Sequence, residues 1–129
     1  MKLIVLLRHG KSDWTATYDS DHDRPLAKRG RRASRRMGRF LSKAGLAPDL
    51  IISSTARRAH ETARIASEAG SWDCALETTD AFYLCEPEAV IDAVRRLPSD
   101  CARVVLVGHE PTWSESVSQL IGGGHIMRV

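Results

Sequence analysis

The sequence predicts an α/β domain with a mostly parallel sheet, because three aliphatic runs alternate with helical patterns. The runs extend from Lys2 to Leu7, from Asp49 to Ser53 and from Ala102 to Gly108, and polar and glycine residues follow each one. An unbroken aliphatic run is typical of a strand that is buried on both faces of a parallel sheet. We therefore expect three such strands, with helices packed against them.

Two helices are predicted to flank the second strand. The first runs from Ala27 to Ala44 and stops at Gly45, and basic residues fill much of its outer side. The residues expected on its inward side are Gly30, Ala33, Met37, Phe40, Leu41 and Ala44. The second helix runs from Thr55 to Ala69, with a Ser/Thr cap at its start and Gly70 at its end.

Two further helices are predicted to open at prolines, since proline favours the first turn of a helix. Pro87 opens the third helix, and its inward residues are expected to be Val90, Val94 and Leu97. Pro111 opens the fourth helix, and its inward residues are expected to be Trp113, Val117, Leu120 and Ile121. The glycine run at 122–124 is expected to end this last helix.

The composition fits one soluble globular domain that spans residues 1–129. Hydrophobic residues make up 43% of the chain and charged residues 27%, which excludes intrinsic disorder, a coiled coil and collagen. Cys74, Cys85 and Cys101 are odd in number and lack CxxC spacing, so we expect reduced thiols in a cytoplasmic protein. No apolar run approaches the roughly 18 residues of a membrane span, and we expect no membrane partner.

The positive charge of the chain is unevenly distributed. The net charge is +3, yet the stretch from Arg24 to Pro48 contains nine Lys or Arg residues and no acid. Such a stretch is either a solvated helix face or a patch that attracts nucleic acid, anionic lipid or a phosphorylated partner. Only Phe40 among the aromatic residues is near these charges, so we expect no nucleic-acid partner.

Histidine, arginine or both follow each of the three predicted strands. The first strand is followed by Arg8-His9-Gly10, the second leads into a segment with Arg57 and Arg58, and the third is followed by His109. The carboxyl ends of parallel strands share one edge of the sheet, where ligands bind. Two histidines, two or three arginines and the helix N-termini at this edge predict an oxyanion pocket, with phosphate as the expected anion.

Four segments resemble landmarks of the histidine phosphatase superfamily, which has the phosphoglycerate mutase-like fold. Leu7-Arg8-His9-Gly10 resembles its Arg-His-Gly signature, and Arg24-Pro25-Leu26 followed by Gly30 resembles its second landmark. The segment from Ser54 to Ala63 resembles its Ser-Pro-x-x-Arg-Ala-x-x-Thr-Ala helix start, with Thr55 in place of proline, and Val107-Gly108-His109 resembles its Gly-His element. These landmarks run in the family's order over nearly the whole chain.

The resemblance implies a three-layer sandwich with helices on both faces of the sheet. The short length, without large insertions, is similar to that of the SixA-type phosphohistidine phosphatases. A last strand is implied after the glycine run, and we expect it to be missing because the sequence ends at Val129.

The resemblance also implies roles for individual residues. His9 is the expected nucleophile, because a neutral imidazole nitrogen can attack phosphorus to form a phosphohistidine. Arg8 and Arg58 are expected to bind the phosphoryl oxygens, and His109 to add a third donor if it is protonated. The arginine of the motif stands four residues after its serine, which selects Arg58 and not Arg57. The mechanism requires no metal and no cofactor.

The acid that protonates the leaving group is left open by the sequence. Asp21 is the first candidate, because it lies in the long irregular segment from Lys11 to Arg24 that follows the nucleophile. Glu86, next to Pro87 at a helix start, is the second candidate, although a carboxylate there is also favoured by the helix dipole alone. A pocket with no dedicated acid is the third alternative.

Three functions remain open at this level. The preferred one is a phosphatase acting on phosphohistidine in a protein, since a site without covering insertions admits a phosphate displayed on a protein. The alternatives are a phosphatase of small phosphomonoesters and a non-catalytic module that binds phosphorylated protein or nucleic acid. The presence of all four of His9, Arg8, Arg58 and His109 argues against the non-catalytic module.

Overall fold

The structure, a computed structural model, describes residues 2–121 and confirms the predicted α/β class. In chain order the elements are β1 (Leu3–Arg8), α1 (Lys28–Lys43), β2 (Leu50–Ser54), α2 (Arg57–Gly70), β3 (Ala75–Thr79), α3 (Pro87–Arg95), β4 (Arg103–Gly108) and α4 (Thr112–Leu120). Short 3₁₀ turns lie at Asp21–Asp23 and Asp80–Phe82. Within these residues no helix has the length and apolar character needed to cross a bilayer.

The four strands form one parallel sheet in the order β1-β4-β2-β3. β4 is buried on both faces: Val105 and Val107 face the cluster that includes residues of α1 and α2, whereas Val104 and Leu106 face the cluster that includes residues of α3 and α4. This arrangement produces the expected three layers. It also explains why the β4 segment is an unbroken aliphatic run, since neither of its faces contacts water.

β3 was not predicted from the sequence. It spans Ala75–Thr79, pairs with β2 alone among the described strands, and has mostly exposed or half-buried residues. Its single large apolar residue, Leu76, packs against the α1/α2 cluster. A five-residue edge strand with polar residues lacks the aliphatic signal that marked the other three strands.

The prediction for the inward side of α1 is wrong for four of its six residues. Ala33, Met37, Phe40 and Ala44 are exposed, and Phe40 keeps 61% of its surface accessible. The buried residues of α1 are Gly30, Ser34, Gly38 and Leu41. The reason is the close approach of α2, because a Cβ atom at Gly38 would overlap the carbonyl oxygen of Ala66. A glycine therefore faces α2 at this contact, and among the large apolar residues of α1 Leu41 is buried whereas Met37 and Phe40 are exposed.

Two other expectations for the helix ends differ from the structure. Thr55 does not cap α2: the helix begins at Arg57 after Ala56, and no side chain caps it. In α4, Trp113 is buried as expected, but Leu120 and Ile121 are exposed and border an open apolar groove beside the edge strand β1. The expected absence of a last strand concerns residues after 121, which lie outside the described part of the chain.

Replacing Gly38 by alanine is expected to lower the free energy of unfolding by about 1 to 3 kcal/mol, the usual cost of overpacking a close contact. Alanine has the higher helix propensity, but its methyl group would force α1 away from Ala66. Thermal unfolding followed by circular dichroism measures the effect. Arg32→Ala, at an exposed position of the same helix, is the control and should be nearly neutral. Equal stability of Gly38→Ala and the original chain would contradict the close-contact interpretation.

Candidate functional site

The carboxyl ends of β1, β4 and β2 meet at one edge of the sheet, as predicted. The backbone N–H of His9 donates to the Gly108 carbonyl at 3.0 Å, and the rings of His9 and His109 are 5.1 Å apart between centroids. Both rings line a cleft of about 460 Å³. The other residues that line the cleft are Arg24, Arg58, Tyr83, Leu84, Cys85, Glu86, Glu110, Pro111, Thr112 and Glu115.

The His9 ring is oriented by the backbone. Its Nδ1 lies 2.7 Å from the carbonyl oxygen of Gly10, which can only accept a hydrogen bond. Nδ1 therefore carries the proton, and Nε2 of the neutral ring keeps its lone pair. Burial is the largest cause that lowers the pKa of His9, and the charges of Arg58, Arg8 and Arg24 lower it further, against the opposing effect of the Gly10 hydrogen bond. The ring is therefore uncharged at neutral pH.

The turn that holds His9 is fixed from two sides. The N–H of Gly10 donates to Thr62 Oγ1 at 3.0 Å, and the Thr62 hydroxyl donates to the Arg58 carbonyl at 2.8 Å. On the other side a Cβ atom at Gly10 would lie 2.8 Å from the carbonyl oxygen of Gly30 in α1. Gly10 thus permits the close approach between the turn and α1, and the hydrogen bonds tie the turn to α2.

His109 is also neutral in this structure. Its Nε2 lies 2.9 Å from the hydroxyl oxygen of Ser54. Burial is the main cause that lowers the pKa of His109 to about 4, and His9 and Arg58 add to the effect. The sequence predicts that His109 is a charged hydrogen-bond donor to phosphate only if its ring is protonated. As a neutral ring, His109 can offer at most one N–H.

Arg58 is buried and lines the cleft, whereas its neighbour Arg57 does not. The Arg57 side chain is 53% exposed, and its Nε lies 3.5 Å from Glu61 on the next turn. Arg58 donates from Nη1 to the backbone oxygen of Asp21 at 2.7 Å and from Nη2 to Asp21 Oδ2 at 3.1 Å. Its Nε is buried and has no hydrogen-bond partner within the described residues. A buried N–H without a partner is costly, and none of the described residues satisfies this donor.

Arg24 is a cleft residue that the sequence reasoning did not name as a site residue. It is buried, forms an ion pair with Asp21, and donates from Nε to the Ser12 hydroxyl at 3.1 Å. The Trp14 ring covers its guanidinium, 3.5 Å from Cζ to the ring centroid. A usable signal was present, because Arg24 is the only Lys or Arg between Lys11 and Lys28 and belongs to a family landmark.

Arg8 does not join the other arginines in the cleft. It ends β1 with an exposed side chain and is not among the residues that line the cleft. Its charge nevertheless contributes to the lowered pKa of His9. Arg8 therefore acts on His9 through its charge and not through a direct contact in the cleft.

Asp21 links the two buried arginines to Tyr83. Its carboxylate pairs with Arg24 and Arg58, and the Tyr83 hydroxyl donates to Oδ2 at 2.8 Å. Partial burial favours the protonated form of Asp21, but the Tyr83 hydrogen bond and the charges of Arg58 and Arg24 together outweigh it. They hold the pKa of this carboxyl below its usual value. Asp21 is thus an ionised acceptor beside the cleft.

Two of the three glutamates that line the cleft, Glu110 and Glu86, differ in their contacts. Glu110 precedes α4 and accepts the Ser114 N–H of its first turn at 3.1 Å. Glu86 is the residue before α3, is exposed, and makes no side-chain cap. Glu86, unlike Asp21, lines the cleft. Between residues 2 and 121 no group of three or more His, Cys, Asp or Glu side chains could hold a metal ion.

These features suit the binding and transfer of an oxyanion. The neutral imidazole of His9, with its free nitrogen lone pair, lines the same cleft as the buried guanidinium groups of Arg24 and Arg58. The Nε of Arg58 has no hydrogen-bond partner within the described residues. Planar guanidinium groups match the geometry of phosphate oxygens, and phosphoryl transfer depends mainly on positioning and charge stabilisation.

The amino-acid sequence is similar to those of several known proteins. The chain is 30% identical over 128 residues to an uncharacterized chloroplastic protein of Arabidopsis thaliana, covering 92% of this chain but only 59% of that relative. A 2,3-bisphosphoglycerate-dependent phosphoglycerate mutase of Thermobifida fusca is 43% identical over 70 residues, which are 53% of this chain and 28% of the mutase.

A solved structure matches over most of the described fold. It is a candidate phosphohistidine phosphatase SixA from Agrobacterium tumefaciens, with a TM-score of 0.84, 29% identity, and coverage of 92% of this chain and 76% of that one. The fold of the chain is therefore of the SixA and phosphoglycerate mutase-like type. The family model described as histidine phosphatase superfamily (branch 1) matches residues 4–83, which is more than half of the sequence. This chain belongs to the histidine phosphatase superfamily.

Proposed function

We propose that this chain is a phosphatase that forms a phosphohistidine on His9 and acts on phosphohistidine in a protein. The observation that carries the proposal is that His9, whose Nε2 keeps a free lone pair, and the buried guanidinium of Arg58 line the same cleft. Membership of the superfamily supports the phosphatase class, and the fold shared with a candidate SixA supports the phosphohistidine substrate.

The proposed reaction has two steps. In the first, Nε2 of His9 attacks phosphorus, the bond from phosphorus to the substrate nitrogen breaks, and the departing imidazole keeps the electron pair and takes a proton from water. In the second, the oxygen of a water molecule attacks phosphorus, the bond from phosphorus to Nε2 of His9 breaks, and inorganic phosphate and a proton are released. The Gly10 carbonyl, which accepts from Nδ1–H, stabilises the positive charge that the ring gains while it is phosphorylated.

Binding of the phosphoryl oxygens is assigned to the arginines. Arg58 and Arg24 offer two buried guanidinium groups, each of which forms an ion pair with Asp21. Arg8 is proposed to turn toward the phosphate from its exposed position at the end of β1. His109 donates one N–H, since its low pKa keeps it neutral until an anion is bound.

The role of Asp21 follows from its partners. An ionised carboxylate that already accepts from Tyr83 and pairs with two arginines is poorly suited to donate a proton. We therefore assign Asp21 as a positioning residue that holds Arg24 and Arg58. Phosphohistidine needs no dedicated acid, because imidazole is a better leaving group than an alkoxide.

One observation favours the second candidate function, hydrolysis of small phosphomonoesters. The exposed carboxyl group of Glu86 lines the cleft and is free of the arginine pairs that bind Asp21. A carboxylic acid there could protonate an alkoxide leaving group. The similarity to a phosphoglycerate mutase over half of the chain is compatible with this alternative.

His9→Ala is expected to abolish phosphatase activity without unfolding the protein, because the residue lies at the end of a strand and outside the core. Activity is measured with a phosphohistidine protein and with an aryl phosphate, and the intermediate is trapped as acid-labile, base-stable label on the original chain. The matched control is His60→Ala, at an exposed position of α2, which should retain activity. Substantial turnover by His9→Ala would refute the mechanism.

Arg58→Ala is expected to reduce kcat/KM by roughly a hundredfold or more, the scale of losing one donor to a transition-state oxyanion. Arg57→Ala should have little effect, because that side chain is half-exposed and pairs with Glu61. Steady-state kinetics on an aryl phosphate compare the two variants directly. Equal losses would mean that the phosphate does not contact Arg58.

Asp21→Asn is expected to lower kcat/KM by a similar factor, about 10- to 100-fold, on phosphohistidine, an aryl phosphate and an alkyl phosphate. The loss is uniform because Arg24 and Arg58 lose their common carboxylate, whatever the leaving group. Glu86→Gln should affect only the alkyl phosphate, whose alkoxide needs an acid. A selective loss on the alkyl phosphate with Asp21→Asn would instead identify Asp21 as the proton donor.

A further inference from the structure

The outward side of α1 combines basic and apolar residues in two parallel rows. Arg29, Arg36 and Lys43 recur every seven residues and therefore lie in one row along the helix. The exposed residues Ala33, Met37, Phe40 and Ala44 form the adjacent apolar row. We call these two rows together the α1 stripe.

The positive charge of the α1 stripe has no acidic partner within residues 2–121. The acids of α2 are engaged elsewhere: Glu61 pairs with Arg31 at 3.1 Å, and Glu68 pairs with Arg64 at 3.2 Å. None of Arg29, Arg36 and Lys43 takes part in an ion pair in this part of the chain. The row therefore presents an uncompensated positive potential, which attracts an acidic surface.

The apolar row argues for a protein surface as the occupant. Phe40 is 61% exposed and Met37 is 38% exposed, although both are large apolar residues. Aromatic residues, methionine and arginine are enriched in the buried part of protein interfaces. A membrane-binding helix needs a broad face of large apolar residues, and single-stranded nucleic acid needs several stacking aromatics. The α1 stripe has one aromatic residue and a narrow apolar row.

α1 begins beside the turn that follows the nucleophile. The N–H of Ala27, just before α1, donates to the Lys11 carbonyl at 2.8 Å, and Gly30 is in close contact with Gly10. Lys11 and Gly10 directly follow His9 in the chain. From this end the 16 residues of α1 extend for about 24 Å. A protein that presents its phosphorylated residue to His9 can therefore lie along α1.

We propose that the α1 stripe is the docking surface for an acidic face of the phosphorylated protein substrate. The proposal rests on the proposed function and adds the chemistry of the partner: carboxylates spaced to meet the basic row, with an apolar side chain that covers Phe40. Docking raises the local concentration of the phosphorylated residue at the cleft and leaves the chemical step unchanged.

The test uses two synthetic phosphohistidine peptides with a helical segment of about 15 residues beside the phosphorylated residue. One segment carries glutamates at seven-residue spacing and a leucine, and the other carries glutamines in place of the glutamates. The double variant Arg29→Gln/Arg36→Gln is expected to raise KM for the acidic peptide roughly three- to tenfold with kcat unchanged. The glutamine peptide and an aryl phosphate should show no change. The matched control is Arg95→Gln/Arg96→Gln, two exposed arginines at the end of α3.

A binding arm separates the docking surface from the catalytic proposal. The labelled, unphosphorylated acidic peptide should bind His9→Ala protein, and both Arg29→Gln/Arg36→Gln and Phe40→Ala should weaken that binding. If neither phosphohistidine peptide is hydrolysed, the proposed function fails while peptide binding still decides the docking surface. Equal KM values for both peptides, or equal affinity of the Phe40→Ala variant, would overturn the docking proposal. Tighter stripe-dependent binding to phosphatidylserine vesicles or to single-stranded RNA than to the acidic peptide would also overturn it.

Discussion

The position of β4 between β1 and β2 is the constraint on which the site depends. Parallel pairing aligns Arg8 with Gly108 on one side of β4 and Ser53 with Val107 on the other, so the three carboxyl ends stop at the same edge. His9, Arg58 and His109 are separated by up to 100 residues in sequence but leave the sheet within one cleft. β4 can occupy the centre because both of its faces are covered by helices, and its alternate residues contribute to two separate clusters.

The same cleft sets the protonation states that the chemistry needs. Burial and neighbouring guanidinium groups lower the pKa of both histidines, whereas the carboxyl of Asp21 remains ionised between two arginines. Each effect favours the form that is useful for phosphoryl transfer: a neutral nucleophile and fixed cations. Asp21 also accepts two N–H hydrogen bonds of Arg58, from Nη1 and Nη2, whereas Nε has no partner within the described residues. Asp21 thus fixes the guanidinium of a residue that lines the cleft.

Sequence reasoning succeeded for the strands β1, β2 and β4 and failed where exposure weakens the pattern. Strands that are buried on both faces must be aliphatic throughout, and this leaves a clear signal. β3 is an edge strand with Leu76 as its one large apolar residue, so it leaves almost none. For α1, the apolar positions were real but were assigned to the wrong side. Hydrophobicity cannot reveal that residue 38 has to be small because Ala66 of α2 approaches it, or that residue 30 has to be small because it packs against Lys11.

The sequence by itself determined the order of the buried strands along the chain and the type of pocket at their carboxyl ends, since both depend on local runs and on the residues that follow them. Its family landmarks also distinguished Arg58 from Arg57. Only the tertiary structure decided that Arg24 lines the cleft, that Arg8 is exposed, and that Asp21 is bound between two arginines. These properties arise from burial and from contacts between residues such as Asp21, Arg58 and Tyr83, which are up to 62 positions apart. Burial, ion pairing and pKa depend on such contacts in space, and no local pattern of residues encodes them.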